Sequence, residues 1–280
     1  MLVAVAALSF MDACLKTLSP FYTPLQVASL RGLTALPIVL VWVSVTGGFR
    51  QLLRVRYSLH VARGALGIMT LAAFSYGVRA LPLAETYSIF FVAPLLITLF
   101  AALLLRERVE WPRWLAIGVG FAGVLIVLRP TGAGAVSMAG LAVLASALGY
   151  ALSAITVRVL GRTDSTQSMV FWLMICVAVG AGVLALPQWR PIRPEHWIVL
   201  GAMAVAGSLG QWAITEAFKR GEASVIAPFE YTALVWGVGL DWTLWHVVPS
   251  TRTFAGAAVV IASGVYLLRH ERVHVEAERP

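Results

Sequence analysis

The stretch PLAETYSIFFVAPLLITLFAALLL, residues 82–105, contains a single charged side chain, that of Glu85. An α-helix rises about 1.5 Å per residue, so this run is long enough to cross the roughly 30 Å hydrocarbon core of a bilayer. A soluble domain would have to cover the run on every side, whereas lipid solvates it directly. The stretch therefore predicts a transmembrane helix.

The rest of the chain has the same character. It is 60% hydrophobic and 12% charged, with a mean hydropathy of +0.85, which predicts an all-α integral membrane protein. Ten apolar runs are long enough to span: residues 2–19, 24–46, 58–79, 82–105, 111–129, 136–160, 165–186, 195–219, 222–245 and 251–269. The short connections leave no room for a separate soluble domain, so residues 1–280 are predicted to form one membrane domain.

The basic residues predict an orientation for these spans. A formal net charge of +8 could suggest nucleic acid as a partner, but the positions of the charges favour membrane topology instead. One alternate set of loops holds Arg50, Arg54, Arg56, Arg63, Arg106, Arg108, Arg113, Arg158, Arg162, Lys219, Arg220, Arg269, Arg272 and Arg279. The other set holds Lys16, Arg79, Arg129, Arg190, Arg193 and Arg252, with Arg31 inside the second span. The positive-inside rule then places both termini in the cytoplasm.

The two halves of the chain resemble each other at an offset of about 140 residues, which is typical of an internal duplication. PLQVASLR (24–31) aligns with STQSMVFW (165–172), and AETYSIFF (84–91) aligns with ASVIAPFE (223–230). Residues 1–134 and 135–280 would each hold five helices, and an odd number inverts the second copy. A 5+5 inverted-topology repeat around a central cavity is typical of secondary transporters.

Four motifs carry a resemblance to a known family. They are FMDACLK (10–16), ALPLAETYSIFFVAPLL (80–96), LLLRERVEWPRWLAIGVGFAGVLIVL (103–128) and APFEYTALVWG (227–237). Over nearly the full chain, the pattern resembles the EamA-type branch of the drug/metabolite transporter superfamily, and it looks most like the YddG aromatic amino acid exporters. The resemblance implies a multi-pass protein of the bacterial inner membrane that exports amino acids. It also favours a functional role for Lys16.

Asp12 and Lys16 place two opposite charges within the first span. A charge near the centre of a span costs roughly 2.5–3.5 kcal/mol on insertion scales, so lipid exposure is unfavourable. The i, i+4 spacing allows the two side chains to neutralise each other on one helix face. Two interpretations follow: a structural ion pair, or a pair lining the cavity in which Lys16 meets a substrate carboxylate or seals the outer gate.

Glu230 and Arg31 are the other charges predicted near the membrane midplane. Glu230, Gly237 and Asp241 fall at i, i+7 and i+11 on one helical stripe, and Asp241 lies close to the outer end. Glu230 is interpreted as an interhelical hydrogen-bonding group or as a group for ammonium recognition or proton coupling. Arg31 needs a partner, which could be Asp12, Glu230 or a substrate carboxylate.

Aromatic and amide side chains complete the predicted cavity. Tyr87 and Phe91 lie one helical turn apart on span four, which favours a ring-lined wall. The other candidates at cavity depth are Tyr76, Tyr150, Trp172, Gln211, Trp212 and Tyr231. Packing between helices is the alternative for each ring. Pro94 and Pro228 occupy similar depths in the two repeats, and they are predicted either as hinges of alternating access or as plain packing kinks.

Rings combined with opposite charges predict a zwitterion with a bulky or aromatic side chain as substrate. Two alternatives remain open: exchange of sugar phosphates, nucleotide sugars or related metabolites, and efflux of cationic drugs. Motifs for nucleotide, zinc or thiol chemistry are absent, so no enzyme activity, metal or cofactor is predicted. The expected partners are amino acids and the lipid bilayer, with a proton as candidate coupling ion, and the expected state is a monomer or weak homodimer.

Overall fold

The computed structural model describes residues 1–46, 49–105, 111–128, 137–220 and 227–277, and these ranges are helical and contain no strand. Six described segments are long and apolar enough to cross a membrane: Pro24–Val45, Tyr57–Ala80, Leu83–Ala101, Met138–Leu160, Thr166–Gln188 and Pro194–Arg220. The count of ten spans stays a prediction. The predicted repeat boundary at residues 134 and 135 lies outside the described ranges, as do Arg106, Arg108, Arg129 and Arg279.

The α-helices follow one another with short connections. In chain order they are α1 (Leu2–Leu18), α2 (Pro24–Val45), α3 (Phe49–Leu53), α4 (Tyr57–Ala80), α5 (Leu83–Phe90), α6 (Val92–Leu105), α7 (Trp111–Leu128), α8 (Met138–Leu160), α9 (Thr166–Cys176), α10 (Gly182–Ala185), α11 (Trp197–Arg220), α12 (Ala233–Trp245) and α13 (Thr251–Ala277). Hydroxyl side chains cap several N-termini. Thr23 accepts from the Gln26 amide (3.3 Å), and Ser165 accepts from the Ser168 amide (3.2 Å).

Three predicted spans are not continuous α-helices. Span four breaks at Phe91, between α5 and α6, because Pro94 has no amide hydrogen to bond the Phe90 carbonyl one turn earlier. In span seven a π-helical segment, Val177–Ala181, connects α9 to α10. The described part of span nine begins with a 3₁₀ segment, Ala227–Thr232, and only then continues as α12. Pro94 and Pro228, predicted as hinges or packing kinks, lie at two of these three places, whereas the π-helical segment was not predicted.

The helices pack in antiparallel pairs and triplets with two distinct ends. Contacts join α1 to α11, α4 to α8 and α7 to α13, and α12 packs on α5. We call the end where α1 finishes and α11 begins the closed end, and the end where α4 begins and α8 finishes the cavity end. Small residues permit close approach, as at Gly32, where a Cβ atom would lie 2.6 Å from the backbone nitrogen of Ala178.

Candidate functional site

A cavity of about 190 Å³ lies among the helices near the middle of the bundle. Its wall is formed by Val5, Leu8, Ser9, Met11, Asp12, Arg31, Arg63, Gly67, Thr70, Leu71, Phe74, Tyr87, Phe90, Phe91, Ser146, Tyr150, Ser153, Ala154, Val157, Leu173, Gln211, Ile214, Thr215, Phe218, Glu230 and Ala233. Pockets for drug-sized ligands usually measure about 300–1,000 Å³, so this one favours a small occupant. Its wall is mainly apolar, with a few charged groups that can orient a ligand.

On α11 the lining of the cavity lies in the half of the helix nearest the cavity end, whereas on α4 it extends across the middle of the helix. On α4 its lining runs from Arg63 to Phe74, and on α11 it runs from Gln211 to Phe218. The first residues of α11 and the last turn of α4, which lie at the closed end, do not contribute to the wall.

Polar contacts hold the closed end together. Lys16 Nζ lies 2.8 Å from Asp241 Oδ1, and Asp241 is fully buried. The Tyr22 hydroxyl lies 2.7 Å from His196 Nδ1, so the α1–α2 connection is tied to the entry of α11. Gln26 bonds both the carbonyl (2.6 Å) and the amide (3.0 Å) of Arg190. These contacts join segments that are distant in sequence.

The carboxylate of Asp12 faces the cavity and accepts a hydrogen bond of 2.9 Å from the Tyr87 hydroxyl. The guanidinium of Arg31 is 4% exposed; its Nε donates to Met11 Sδ (2.9 Å) and its Nη2 donates to Gln211 Oε1 (3.2 Å). The charges of Asp12 and Arg31 attract each other across the wall. Asp12, Arg31, Tyr87 and Gln211 therefore form one satisfied polar cluster.

Glu230 forms the second polar point of the cavity. It lies in the 3₁₀ segment, and its Oε1 accepts a hydrogen bond of 2.8 Å from the Tyr150 hydroxyl of α8. Among the described residues, no lysine or arginine is within ion-pair distance of this carboxylate. A buried carboxylate with one neutral donor can still accept bonds from a ligand, and an ammonium group would supply both the bonds and the opposite charge.

Four rings form a continuous wall between Asp12 and Glu230. Phe74 stacks with Tyr87 at 6.4 Å between centroids and meets Phe90 edge-on at 5.8 Å. Phe90 in turn contacts Tyr150 at 5.3 Å. Both tyrosine hydroxyls are bonded to the cavity carboxylates, so the ring faces and edges present apolar surface. An aromatic or aliphatic side chain of a ligand would be desolvated against this wall.

A buried polar cluster fixes the cavity end. His60 Nε2 lies 2.7 Å from Asp164 Oδ2, and the Thr163 hydroxyl donates to Asp164 Oδ1 at 2.7 Å. Asp164 lies in the connection between α8 and α9, outside the helices. Burial acts to raise the pKa of its carboxyl, but the hydrogen bonds from Thr163, His60 and the Arg56 amide outweigh burial and leave the pKa below its usual value. The α8–α9 connection is thus attached to the start of α4.

The structure brings together seven of the twelve predicted binding residues. Asp12, Arg31, Tyr87, Phe91, Tyr150, Gln211 and Glu230 line the cavity. Their role in binding stays a prediction. Of the predicted hinges, Pro94 lies in α6 just after the break at Phe91, and Pro228 lies in the 3₁₀ segment that precedes α12.

The other five lie away from the cavity wall. Lys16 pairs with Asp241, so the predicted neutralisation by Asp12 was wrong. Tyr76 (44% exposed) and Trp212 (42% exposed) are not among the residues that line the cavity. Trp172 donates from Nε1 to the Leu52 carbonyl (2.9 Å) near the cavity end. Tyr231 packs edge-on against Phe91 at 5.1 Å, one layer behind the wall.

Sequence reasoning missed Arg63 and Phe74. Arg63 was assigned to a cytoplasmic loop, whereas it lies in the second turn of α4 and on the cavity wall. The sequence did contain a signal: Arg63, Gly67, Thr70 and Phe74 follow one another at i, i+4, i+7 and i+11, a single helical stripe that mixes polar and small residues. That stripe was hidden because the span was treated as uniformly apolar.

Comparison with known proteins identifies the family to which the protein belongs. The model of the EamA-like transporter family matches residues 1–129 and 137–269, and the chain belongs to this family. A riboflavin transporter of Vibrio cholerae is 30% identical over 84% of this chain and 79% of its own length. The pseudopaline exporter CntI of Pseudomonas aeruginosa is 27% identical over 94% and 93% of the two chains. An S-adenosylmethionine uptake transporter of Rickettsia conorii is 26% identical over 84% and 80%.

A solved structure shares the fold. It superposes with a TM-score of 0.68 over 96% of both chains, at 18% sequence identity. The protein is therefore a multi-pass membrane transporter whose relatives are bacterial carriers of small molecules. The predicted superfamily is confirmed, but the narrower likeness to aromatic amino acid exporters is not specifically supported, because these relatives are named for other substrates.

Proposed function

We propose that the protein is an alternating-access carrier that exports amino acids, preferentially aromatic or bulky ones, from the bacterial cytoplasm. The observation that carries the proposal is Glu230, a buried cavity carboxylate held by Tyr150 and without a cationic partner among the described residues. An α-ammonium group satisfies it, and the adjoining ring wall accommodates an apolar side chain. The 5+5 inverted repeat is part of the proposal, and the pairing of α1 with α11 and of α4 with α8 supports it.

The charge balance of the cavity disfavours the alternatives. Asp12, Glu230, Arg31 and Arg63 are the charged residues in the described wall, two of each sign. Phosphate esters and nucleotide sugars would need an excess of cations, and a cationic drug would need an excess of carboxylates. A zwitterion matches an equal number of both. Riboflavin, the substrate named for one relative, is a drug-sized molecule. Pockets for drug-sized ligands measure about 300 Å³ or more, whereas this cavity measures about 190 Å³.

The relatives are compatible with an amino acid substrate. S-adenosylmethionine is itself an α-amino acid joined to an aromatic base, and one relative is named for its uptake. The printed names include both an exporter and an uptake transporter, so the export direction is part of this proposal.

The orientation of the protein in the inner membrane is proposed from the distribution of basic residues between the two ends of the bundle. Arg54, Arg56, Arg158, Arg162, Lys219 and Arg220 belong to the cavity end, while Arg79, Arg190, Arg193 and Arg252 belong to the closed end. The positive-inside rule favours a cytoplasmic cavity end and cytoplasmic termini. The cavity end then faces the cytoplasm, the side from which an exporter loads.

Counterflow in proteoliposomes tests the substrate class. Radiolabelled phenylalanine is exchanged against unlabelled phenylalanine, leucine, a sugar phosphate, a quaternary ammonium ion and riboflavin. Competition by the two amino acids alone supports the proposal. Inhibition of the flux by the phosphate, the cation or riboflavin instead replaces it with the corresponding substrate, and the absence of any phenylalanine flux rejects it.

Glu230→Gln tests the residue that carries the proposal. Loss of the charge-assisted bond to an ammonium group is expected to weaken phenylalanine binding roughly ten-fold or more. Glu195→Gln is the matched control, since Glu195 is exposed near the start of α11 and distant from the cavity wall. Equal affinities for the two variants would remove Glu230 from the site.

A further inference from the structure

Arg63 is a buried cation whose charge nothing in the described structure neutralises. It is 2% exposed, its Nη1 donates to the Met169 carbonyl at 2.7 Å, and its Nε has no hydrogen-bond partner among the described residues. No described carboxylate lies within ion-pair distance of it. The side chain borders the cavity. A buried guanidinium with an unused donor and no counter-ion is costly in an empty protein, and an anion would remove that cost.

The second cavity arginine differs in each of these respects. Arg31 donates from Nε to Met11 and from Nη2 to Gln211, and Asp12 supplies an opposite charge. Arg31 is therefore already satisfied within the empty protein. Of the two guanidinium groups on the wall, Arg63 is the one with capacity for a ligand.

Asp164, whose partner His60 lies one turn before Arg63, is also occupied. Asp164 bonds His60 through Oδ2 and Thr163 through Oδ1, and it accepts the Arg56 amide. These bonds account for both of its oxygens. The His60–Asp164 pair holds the start of α4, one turn before Arg63, and so fixes where the guanidinium sits without neutralising it.

We propose that Arg63 binds the carboxylate of the transported substrate, while Glu230 binds its ammonium group. This inference rests on the proposed amino acid substrate for its second half only, because the capacity of Arg63 for a carboxylate holds for any anionic ligand of the cavity. It also replaces Lys16, which is engaged by Asp241, as the carboxylate-binding cation. A guanidinium can hold a carboxylate with two parallel hydrogen bonds, which fixes the ligand's orientation as well as its charge.

Three probes separate the two ends of the substrate. Phenylalanine has both charged groups, phenethylamine lacks the carboxylate, and 3-phenylpropionate lacks the amine. Binding of each is measured on the detergent-purified full-length protein by calorimetry. Arg63→Gln is expected to weaken phenylalanine and 3-phenylpropionate roughly ten- to hundred-fold and to leave phenethylamine unchanged. Arg79→Gln, an exposed arginine on the same helix, is the matched control and should match wild type with all three.

The reciprocal variant makes the assignment independent of folding defects. Glu230→Gln should weaken phenylalanine and phenethylamine while retaining 3-phenylpropionate. Equal loss of all three probes in Arg63→Gln, or no loss of any, overturns the role of Arg63. Wild-type binding of 3-phenylpropionate that depends on Arg63, without phenylalanine transport, upholds the anion site and rejects the amino acid function. Absence of carboxylate-dependent binding in wild type overturns the anion site itself.

Thermal stability gives a second readout. If Arg63 served only to brace α4 against the Met169 carbonyl, Arg63→Gln would lower the melting temperature of the ligand-free protein. A ligand-binding role predicts an unchanged or higher melting temperature, because the substitution removes an uncompensated buried charge. Arg63→Lys keeps the charge but loses the planar fork, so its affinity for 3-phenylpropionate should lie between wild type and Arg63→Gln.

Discussion

Lys16 and Asp241 form an ion pair of 2.8 Å although 225 residues separate them in the chain. The same lysine lies 4.5 Å from the centre of the Trp245 ring, and Asp241 Oδ2 accepts the Ala84 amide at 2.9 Å. This one contact joins α1, α5 and α12 on the side of Asp12 away from the cavity. Lys16 therefore belongs to the closure of the bundle, not to the wall of the cavity.

Removing Lys16 should destabilise the protein. Lys16→Met leaves the fully buried Asp241 without its cation, and breaking a buried pair from one side costs about 3 kcal/mol. The double variant with Asp241→Asn removes both charges and should recover much of the loss. Melting temperatures of wild type, both single variants and the double variant form a double-mutant cycle. Additive losses would show that the two side chains do not interact.

Asp164 should make stability depend on acid pH. Its pKa is lowered because the bonds from Thr163, His60 and the Arg56 amide outweigh the effect of burial. A carboxyl with a lowered folded-state pKa stabilises the protein above its unfolded pKa of about 4, and this contribution is lost as the pH falls through the folded value. Asp164→Asn should lower the melting temperature at pH 7 and flatten its decline below pH 4. An unchanged acid profile, relative to the Glu195→Gln control, would contradict the prediction.

Gly32→Ala should disturb the contact between α2 and the π-helical segment. An added Cβ atom would lie 2.6 Å from the backbone nitrogen of Ala178, and backbone cannot yield as a side chain can. Overpacking of this kind costs about 1–3 kcal/mol. Gly201→Ala is the control on α11, because nothing lies within 4 Å of the new atom. The control should be neutral or slightly stabilising, and equal melting temperatures for the two variants would refute the close approach.

Pro94→Ala tests the proposed hinge. Alanine restores an amide hydrogen that can bond the Phe90 carbonyl, so α5 and α6 can join through Phe91 into one straighter helix. If the break permits the change between two open states, the transport rate should fall several-fold while substrate affinity is retained. Stopped-time counterflow and calorimetry measure the two quantities separately. An unchanged rate would identify the break as a packing kink.

The long helices could be predicted closely because their boundaries follow from composition. The predicted run 24–46 corresponds to Pro24–Val45 and the run 58–79 to Tyr57–Ala80, each ended by a turn or capping residue. The π-helical segment could not be predicted, because it coincides with a tertiary contact in which Ser29 donates to the Ala178 carbonyl at 2.8 Å. Hydrophobic runs report length and burial, not the local hydrogen-bond register.

The candidate site was predicted where a polar residue within an apolar span, or helical spacing, carried the signal. Tyr87 and Phe91 share a helix face, and both reach the cavity. The partner of Lys16 was mispredicted because i, i+4 spacing offered Asp12, while the folded chain brought in an aspartate from the other half. Arg63 was missed although it begins a polar and small-residue stripe, because the span was treated as uniformly apolar and its arginine was assigned to a loop.

The equal number of positive and negative groups facing the cavity bears on how transport can be energised. Within the described chain, two guanidinium groups and two carboxylates line it, so their formal charges sum to zero. A zwitterion adds nothing to that sum, and the loaded and empty carriers then move the same charge through the membrane field. Each elementary charge that crosses is worth about 2.3 kcal/mol per 100 mV. Uniport of a zwitterion would be electroneutral and indifferent to voltage, so uphill export would require coupling to the movement of an ion or of a second solute.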